Sequence, residues 1–171
     1  MINRLATLLG LDPKELSGAT VDADIPLTTA LINRKIAEYL ARTASKVSAA
    51  VVEPRPGNVL IVHVRLQSSL VPPLPLHLEI AGQPEWPASP VLVLRWSLAG
   101  GLGVLARVAA SPILALFSVL PPGVRVDGDL IGIDIAEVLR SRDAGWLVPL
   151  VKRLRLQTSD AGVRVAVRVG V

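Results

Sequence analysis

The sequence predicts an α+β domain in which a long, mostly antiparallel sheet curls around helices. Aliphatic and polar residues alternate with a period of two in many short segments, which is typical of strands with one buried face. An amphipathic helix is indicated before these segments, and residues 96–124, with Arg107 as their single charge, divide them into two groups. A chain of 171 residues can bury a substantial core, so residues 1–171 are treated as one domain.

Two helices are predicted ahead of the strands. Residues 1–18 are predicted to form a short amphipathic helix and a loop, because Ile2, Leu5, Leu8 and Leu9 share one helical face. Turn-forming residues continue to position 24 and predict a loop with at most a short strand. The second helix is predicted over residues 26–44, where Pro26 suits a first turn and an apolar stripe follows at helical spacing, formed by Ile32, Ile36 and Leu40.

The strands are placed by their alternation and by the turns between them. Residues 54–57 and 159–162 are rich in turn formers and predict hairpins. A short helix is predicted at residues 136–141, with Asp134 as its N-cap and Glu137 as the capping-box partner. The predicted strands are residues 47–53, 58–66, 74–80, 90–96, 124–127, 130–135, 150–158 and 163–169.

The apolar centre is predicted to contain buried helices and not a membrane span. Ser111 and Pro112 resemble an N-cap followed by a first-turn proline, so a helix is expected over residues 112–120. The uncharged run is short for a bilayer and prolines interrupt it. No signal peptide is recognised at the start of the sequence. We expect a cytoplasmic protein that can associate peripherally with a membrane.

Composition limits the possible functions. Hydrophobic residues make up 51% of the chain and its mean hydropathy is +0.52, whereas aromatic residues make up only 3%. Because few rings are available to stack on bases, nucleic acid is not expected as a partner. The absence of cysteine excludes disulfides, thiol catalysis and cysteine metal sites. The net charge of +4 suits either anionic partners or simple solubility.

No pattern of residues predicts catalysis, and we expect neither an enzyme nor a cofactor. His63 and His77 are far apart in sequence, and a metal site with Glu79 is not favoured because no further ligand spacing accompanies them. No G-x-S-x-G segment is present. The glycine-rich residues 100–103 lack the last glycine of the G-x-G-x-x-G pattern and the acidic residue that follows it in a dinucleotide site.

The strands fit a plain hydrophobic core, which composition alone favours. They also fit an apolar groove, since leucine, valine and alanine without aromatic rings suit an acyl chain. Both interpretations stay open at this point. The predicted lining is Leu60, Val62, Val64, Leu76, Leu78, Leu92 and Leu94, closed by Leu114, Leu116 and Phe117. Outward arginines are predicted to meet anionic head groups, and these are Arg153, Arg155, Arg164 and Arg168.

The order of these elements resembles tubular lipid-binding (TULIP) domains, in particular the single-domain bacterial phospholipid-binding and SMP-like members. The resemblance covers residues 25–171 and is carried by LTTALINRKIAEYL, VLIVHVRL with LPLHLEI, and LPPGVRVDGDLIGIDIAEVL with LVPLVKRLRLQTSDAGVRVAVRV. It implies a half-barrel sheet wrapped around a helix, with a lipid or another apolar small molecule in the groove and no catalytic residues. The alternative is an interaction module that buries apolar surface in a homodimer or partner complex.

Overall fold

The computed structural model of the 171-residue chain describes residues 18–42, 47–67, 73–98 and 122–170. These residues form nine strands, two α-helices and a 3-10 turn at Gly145–Leu147. In chain order the strands and helices are β1 (Thr20–Thr28), α1 (Thr29–Arg42), β2 (Val47–Arg55), β3 (Val59–Leu66), β4 (Leu74–Gly82), β5 (Val91–Leu98), β6 (Val124–Asp127), β7 (Leu130–Asp134), α2 (Ile135–Ser141), β8 (Val151–Ser159) and β9 (Gly162–Gly170).

The strands form two antiparallel sheets, so the predicted α+β fold is wrong. One sheet has six strands in the order β2-β3-β4-β5-β7-β6, and the other has three in the order β1-β9-β8. The described part of the chain is mostly β, and its helices do not lie inside a curled sheet. Helix α1 contains no buried residue and packs on β2, the edge strand of the larger sheet. The helix-wrapped arrangement that the TULIP resemblance implied is therefore not the one observed.

Strand β1 covers residues for which the sequence predicts a loop with at most a short strand, followed by the first turn of a helix. It pairs with β9 over its whole length, from Thr20 opposite Gly170 to Thr28 opposite Gly162. Pro26 has no backbone N–H to donate. It is tolerated because β1 is an edge strand that pairs with β9 alone, so no strand on its other side loses a hydrogen bond. The helix begins after Thr28, whose Oγ1 accepts a hydrogen bond of 3.2 Å from the backbone N–H of Leu31.

The remaining described strands are confirmed with shifts of a few residues at their ends, and so is α2. Asp134 caps α2 as predicted, since its Oδ1 accepts from the N–H of Glu137 at 3.0 Å. The capping box also predicts that the side chain of Glu137 accepts from the N–H of Asp134. That N–H instead donates to the carbonyl of Gly123 at 2.7 Å. The predicted helices at the N-terminus and over residues 112–120 lie outside the described residues. None of the described helices combines the length and the hydropathy that crossing a membrane requires.

One face of the six-stranded sheet is formed by aliphatic side chains and one tryptophan, and we call it the aliphatic face. Residues directly opposite one another on antiparallel strands point to the same side, so the register defines this face. Its buried members form two clusters, Val64 with Leu66 and Leu76, and Leu92 with Leu94 and Ile131; Trp96 packs against both. The face therefore runs across the larger sheet without a polar break at its centre.

The smaller sheet joins the larger one through β8. Leu156 packs against the cluster of Leu92, Leu94 and Ile131. The hydroxyl of Thr158 accepts from the N–H of Val59 at 3.0 Å and donates to the carbonyl of Arg55, so β8 is fixed to the β2–β3 turn. The two sheets therefore meet at the end of the aliphatic face that Leu156 and Thr158 contact.

Candidate functional site

The described members of the predicted acyl-chain lining all lie on the aliphatic face. Leu60 is opposite Leu78, and Val62 is opposite Leu76. Leu78 in turn is opposite Trp96, which shares its side of β5 with Leu92 and Leu94. Val64 is two positions from Val62 and points the same way. Leu114, Leu116 and Phe117 lie outside the described residues. That the described residues bind a ligand stays a prediction.

Burial divides this set into two parts. Val64, Leu76, Leu92 and Leu94 are buried, each exposing 7% or less, and belong to the packed clusters. Leu60, Val62 and Leu78 are half-buried. The first four therefore contribute chiefly to the core, whereas the other three retain surface that a ligand could contact.

A groove of about 380 Å³ lies between α1 and β2, and we call it the α1–β2 groove. Its volume is within the range of small-molecule pockets, about 300–1,000 Å³. Val47 lines the groove and also packs against the cluster of Val64, Leu66 and Leu76, so the groove is continuous with the aliphatic face. The lining is Asn33, Ala37, Leu40, Ala41, Val47, Ser48, Ala49, Ala50, Val51 and Gln67.

Asn33 fixes the helix that forms one wall of this groove. Its Nδ2 donates to the carbonyl of Val52 at 3.0 Å, and its Oδ1 accepts from the N–H of Val52 at 2.7 Å. The side-chain amide thus takes the place of a neighbouring strand at one position of β2. Nothing in the local sequence pattern distinguishes Asn33 from a solvated polar side chain of the helix, so this contact could not be predicted.

The four predicted arginines lie together on one face of the three-stranded sheet, which we call the basic face. Arg153 is opposite Arg168, and Gln157 is opposite Arg164. Arg155 lies on β8 between Arg153 and Gln157 and points to the same side. All line one shallow depression of about 380 Å³ together with Asp22 and Asp24. Leu154, Leu156, Val165 and Val167 point to the opposite side of the sheet. These arginines and the apolar residues that meet the larger sheet are therefore separated by the thickness of a strand.

Carboxylates on β1 pair with half of these arginines. Asp22 and Arg168 form a two-pronged ion pair, with Nε–Oδ1 and Nη2–Oδ2 distances of 2.7 and 3.0 Å. The hydrogen bonds from Arg168 are the main reason why the pKa of Asp22 lies below its ordinary value. Arg164 pairs more loosely with Asp24 at 3.6 Å. Within the part of the chain that the structure describes, Arg155 makes no ion pair.

The two histidines lie on the other face of the six-stranded sheet. His77 is opposite Ile61, and His63 is opposite Pro75, which places the histidines diagonally on neighbouring strands. His63 Nε2 is 3.5 Å from Glu53 Oε1, and Glu79 is 3.7 Å from Arg95. Over residues 18–42, 47–67, 73–98 and 122–170, no three His, Cys, Asp or Glu side chains come close enough to form a metal site.

Comparison with known proteins gives no match to a family model, to a curated protein or to a solved structure.

Proposed function

We propose that this protein binds a long apolar ligand, such as the acyl chain of a lipid, without altering it chemically, and so stores or transfers it. The ligand lies in the α1–β2 groove and extends towards the half-buried part of the aliphatic face. The observation that carries the proposal is the position of Val47, which belongs both to the groove and to the edge of an aliphatic cluster. The resemblance of the sequence to tubular lipid-binding domains favours the same class of ligand.

The lining of the groove suits a chain of methylene groups. Alanines from both walls keep the groove open, and Leu40 and Val47 add apolar surface. Burial of apolar surface contributes about 25 cal/mol per Å², which favours the transfer of methylene groups from water into this groove. Asn33, Ser48 and Gln67 are the polar residues of the lining.

The test is native mass spectrometry of the purified protein, with organic extraction of the same sample. We expect a bound mass in the lipid range that solvent releases. Ala37→Trp places a large side chain in the groove and should reduce this bound fraction at least about tenfold. Ala30→Trp is the matched control, because Ala30 is also an exposed alanine of α1 but does not line the groove.

A protein without bound mass, unchanged after incubation with phospholipid vesicles, would contradict the proposal. So would equal lipid content in the two tryptophan variants. Val62→Glu tests the aliphatic face separately: a folded variant that retains all its ligand shows that Val62 is not part of the site.

A second function, as an interaction module, is favoured by β1. Val21 and Ile25 share one side of this edge strand and expose 50% and 46% of their surface. Exposed valine and isoleucine on a strand edge are typical of a surface that a second chain covers. Light scattering of the lipid-free protein and of a Val21→Ser, Ile25→Ser double variant tests this function. A dimer that the double variant abolishes supports it, and a monomer in both cases excludes self-association through β1.

A further inference from the structure

We infer that the basic face docks on an anionic membrane surface, with the β8 half of the three-stranded sheet as the contact. This inference does not rest on the proposed ligand, because the basic face and the α1–β2 groove share no lining residue. The inference assigns the surface on which the protein docks, whereas the groove proposal assigns the ligand that the protein carries.

The charge on this face is the first argument. Lys152 joins the four arginines, since its side chain crosses Gly170, where a β-carbon would lie 3.2 Å from Lys152 Cε. Five cations against Asp22 and Asp24 leave an excess of three positive charges, compared with +4 for the whole chain. Most of the net charge of the protein is therefore on one side of its smaller sheet.

The arrangement of the carboxylates is the second argument. Both lie on β1, where they pair with Arg164 and Arg168 of β9. Lys152, Arg153 and Arg155 lie on β8, at the far edge of the same sheet, and no ion pair holds them among the described residues. The excess charge is thus concentrated along one edge, which orients the protein on a charged plane.

The shape and composition of the face favour a membrane over a nucleic acid. Three strands of nine residues make a surface of about 14 by 30 Å. The face is an open sheet surface with a shallow depression, and none of the residues that form it is aromatic. A bilayer needs only a broad cationic surface, whereas single strands need stacking platforms and duplexes need an element that enters a groove.

Vesicle cosedimentation tests the inference, with phosphatidylcholine vesicles compared to vesicles in which about a third of the lipid is the anionic phosphatidylglycerol. We expect binding to the anionic vesicles only, weakening as salt is added. Arg153→Gln with Arg155→Gln should lower the partition coefficient about 25-fold, since each cation near such a surface contributes about fivefold. The control removes two exposed arginines of the larger sheet, Arg65→Gln with Arg125→Gln, and should change it less than about twofold.

Asp22→Asn gives a change in the opposite direction. It removes a negative charge from the basic face and frees Arg168, so anionic vesicles should bind the variant more tightly. A structural role for the ion pair would leave binding unchanged or lower it, and either result would overturn the inference. Ala37→Trp should bind vesicles as the unmodified protein does, so failure of the groove proposal remains distinguishable.

Three further results would overturn the inference. The first is equal binding to neutral and anionic vesicles, and the second is equal loss in the two double arginine variants. The third is tighter binding to a short DNA duplex or to inorganic phosphate than to anionic vesicles at matched ionic strength, which would assign the face to nucleic acid or to a soluble anion.

Discussion

The side-chain amide of Gln83 hydrogen-bonds both backbone groups of Leu156: Nε2 donates to the carbonyl at 2.8 Å, and Oε1 accepts from the N–H at 2.9 Å. Gln83 follows β4 in the larger sheet, and Leu156 is the β8 residue that packs against the cluster of Leu92, Leu94 and Ile131. One amide thus occupies the edge of the smaller sheet at the point where the two sheets meet. Asn33 does the same for Val52 on the edge of the larger sheet.

Gln83→Ala should lower the free energy of unfolding by about 1–3 kcal/mol, because it leaves both the N–H and the carbonyl of Leu156 without their partner. Urea denaturation measures the change. Gln157→Ala is the control, since Gln157 is exposed on the basic face and should cost less than about 0.5 kcal/mol. Equal losses for the two variants would show that the Gln83 bonds do not hold the sheets together.

Thr158→Val should cost about 1–3 kcal/mol, although it preserves the shape of the side chain. The hydroxyl that it removes serves Arg55 and Val59 on the β2–β3 turn, and both backbone groups lose a partner there. Thr158→Ser retains the hydroxyl and should cost clearly less, by the same denaturation measurement. If the serine variant is the less stable one, the packing of the methyl group matters more than the hydrogen bonds.

Gly162→Ala should destabilise the protein by about 3 kcal/mol or more, and can prevent folding altogether. Gly162 has a φ of +149°, and a β-carbon there would overlap the carbonyl oxygen of Leu27 on β1. Gly57→Ala is the control: Gly57 has a φ of +83°, but no atom lies within 4 Å of the added carbon, so only about 1 kcal/mol of backbone strain is expected. Thermal unfolding of both variants checks the contrast, and similar melting temperatures would contradict it.

Arg168→Gln should raise the pKa of the Asp22 carboxyl towards its ordinary value of 3.8, because it removes the hydrogen bonds that hold that pKa down. Carboxyl carbon shifts followed by NMR against pH measure this change, and Arg125→Gln should leave the pKa of Asp22 in place. Since the pKa is lower in the folded than in the unfolded state, the ion pair stabilises the fold above the unfolded pKa. That contribution is lost as the pH falls through the folded pKa. An unchanged pKa in Arg168→Gln would assign the effect to other charges.

The strands of the larger sheet could be predicted because each carries its own evidence. In β3, the aliphatic residues from Leu60 to Leu66 alternate with residues that include His63 and Arg65, and the observed face follows that alternation. The four arginines of the basic face were placed on the same principle. The period of the apolar residues and the turns at either end are sufficient to predict a strand wherever it pairs with its neighbour in the sequence.

The fold class and β1 could not be predicted from the same evidence. Val21, Ala23 and Ile25 do alternate with Asp22 and Asp24, but aspartates near a glycine also indicate a turn. The partner of β1 is at the other end of the described chain, where local patterns cannot point to it. The roles of Asn33, Gln83 and Thr158 have no local pattern at all, because each depends on a backbone group brought close by tertiary structure.

The pairing of Thr20 with Gly170 also affects how this chain reaches its structure. A hairpin such as β8–β9 closes a loop of a few residues, whereas β1 meets β9 only when about 150 residues have been brought together. Because closure entropy grows with the logarithm of loop length, the second event costs about 3 kcal/mol more than the first. The β8–β9 hairpin can form early and offer β9 as a template. The pairing of β1 with β9 then completes the three-stranded sheet. Of the two strand pairs in that sheet, it has the greater entropic barrier.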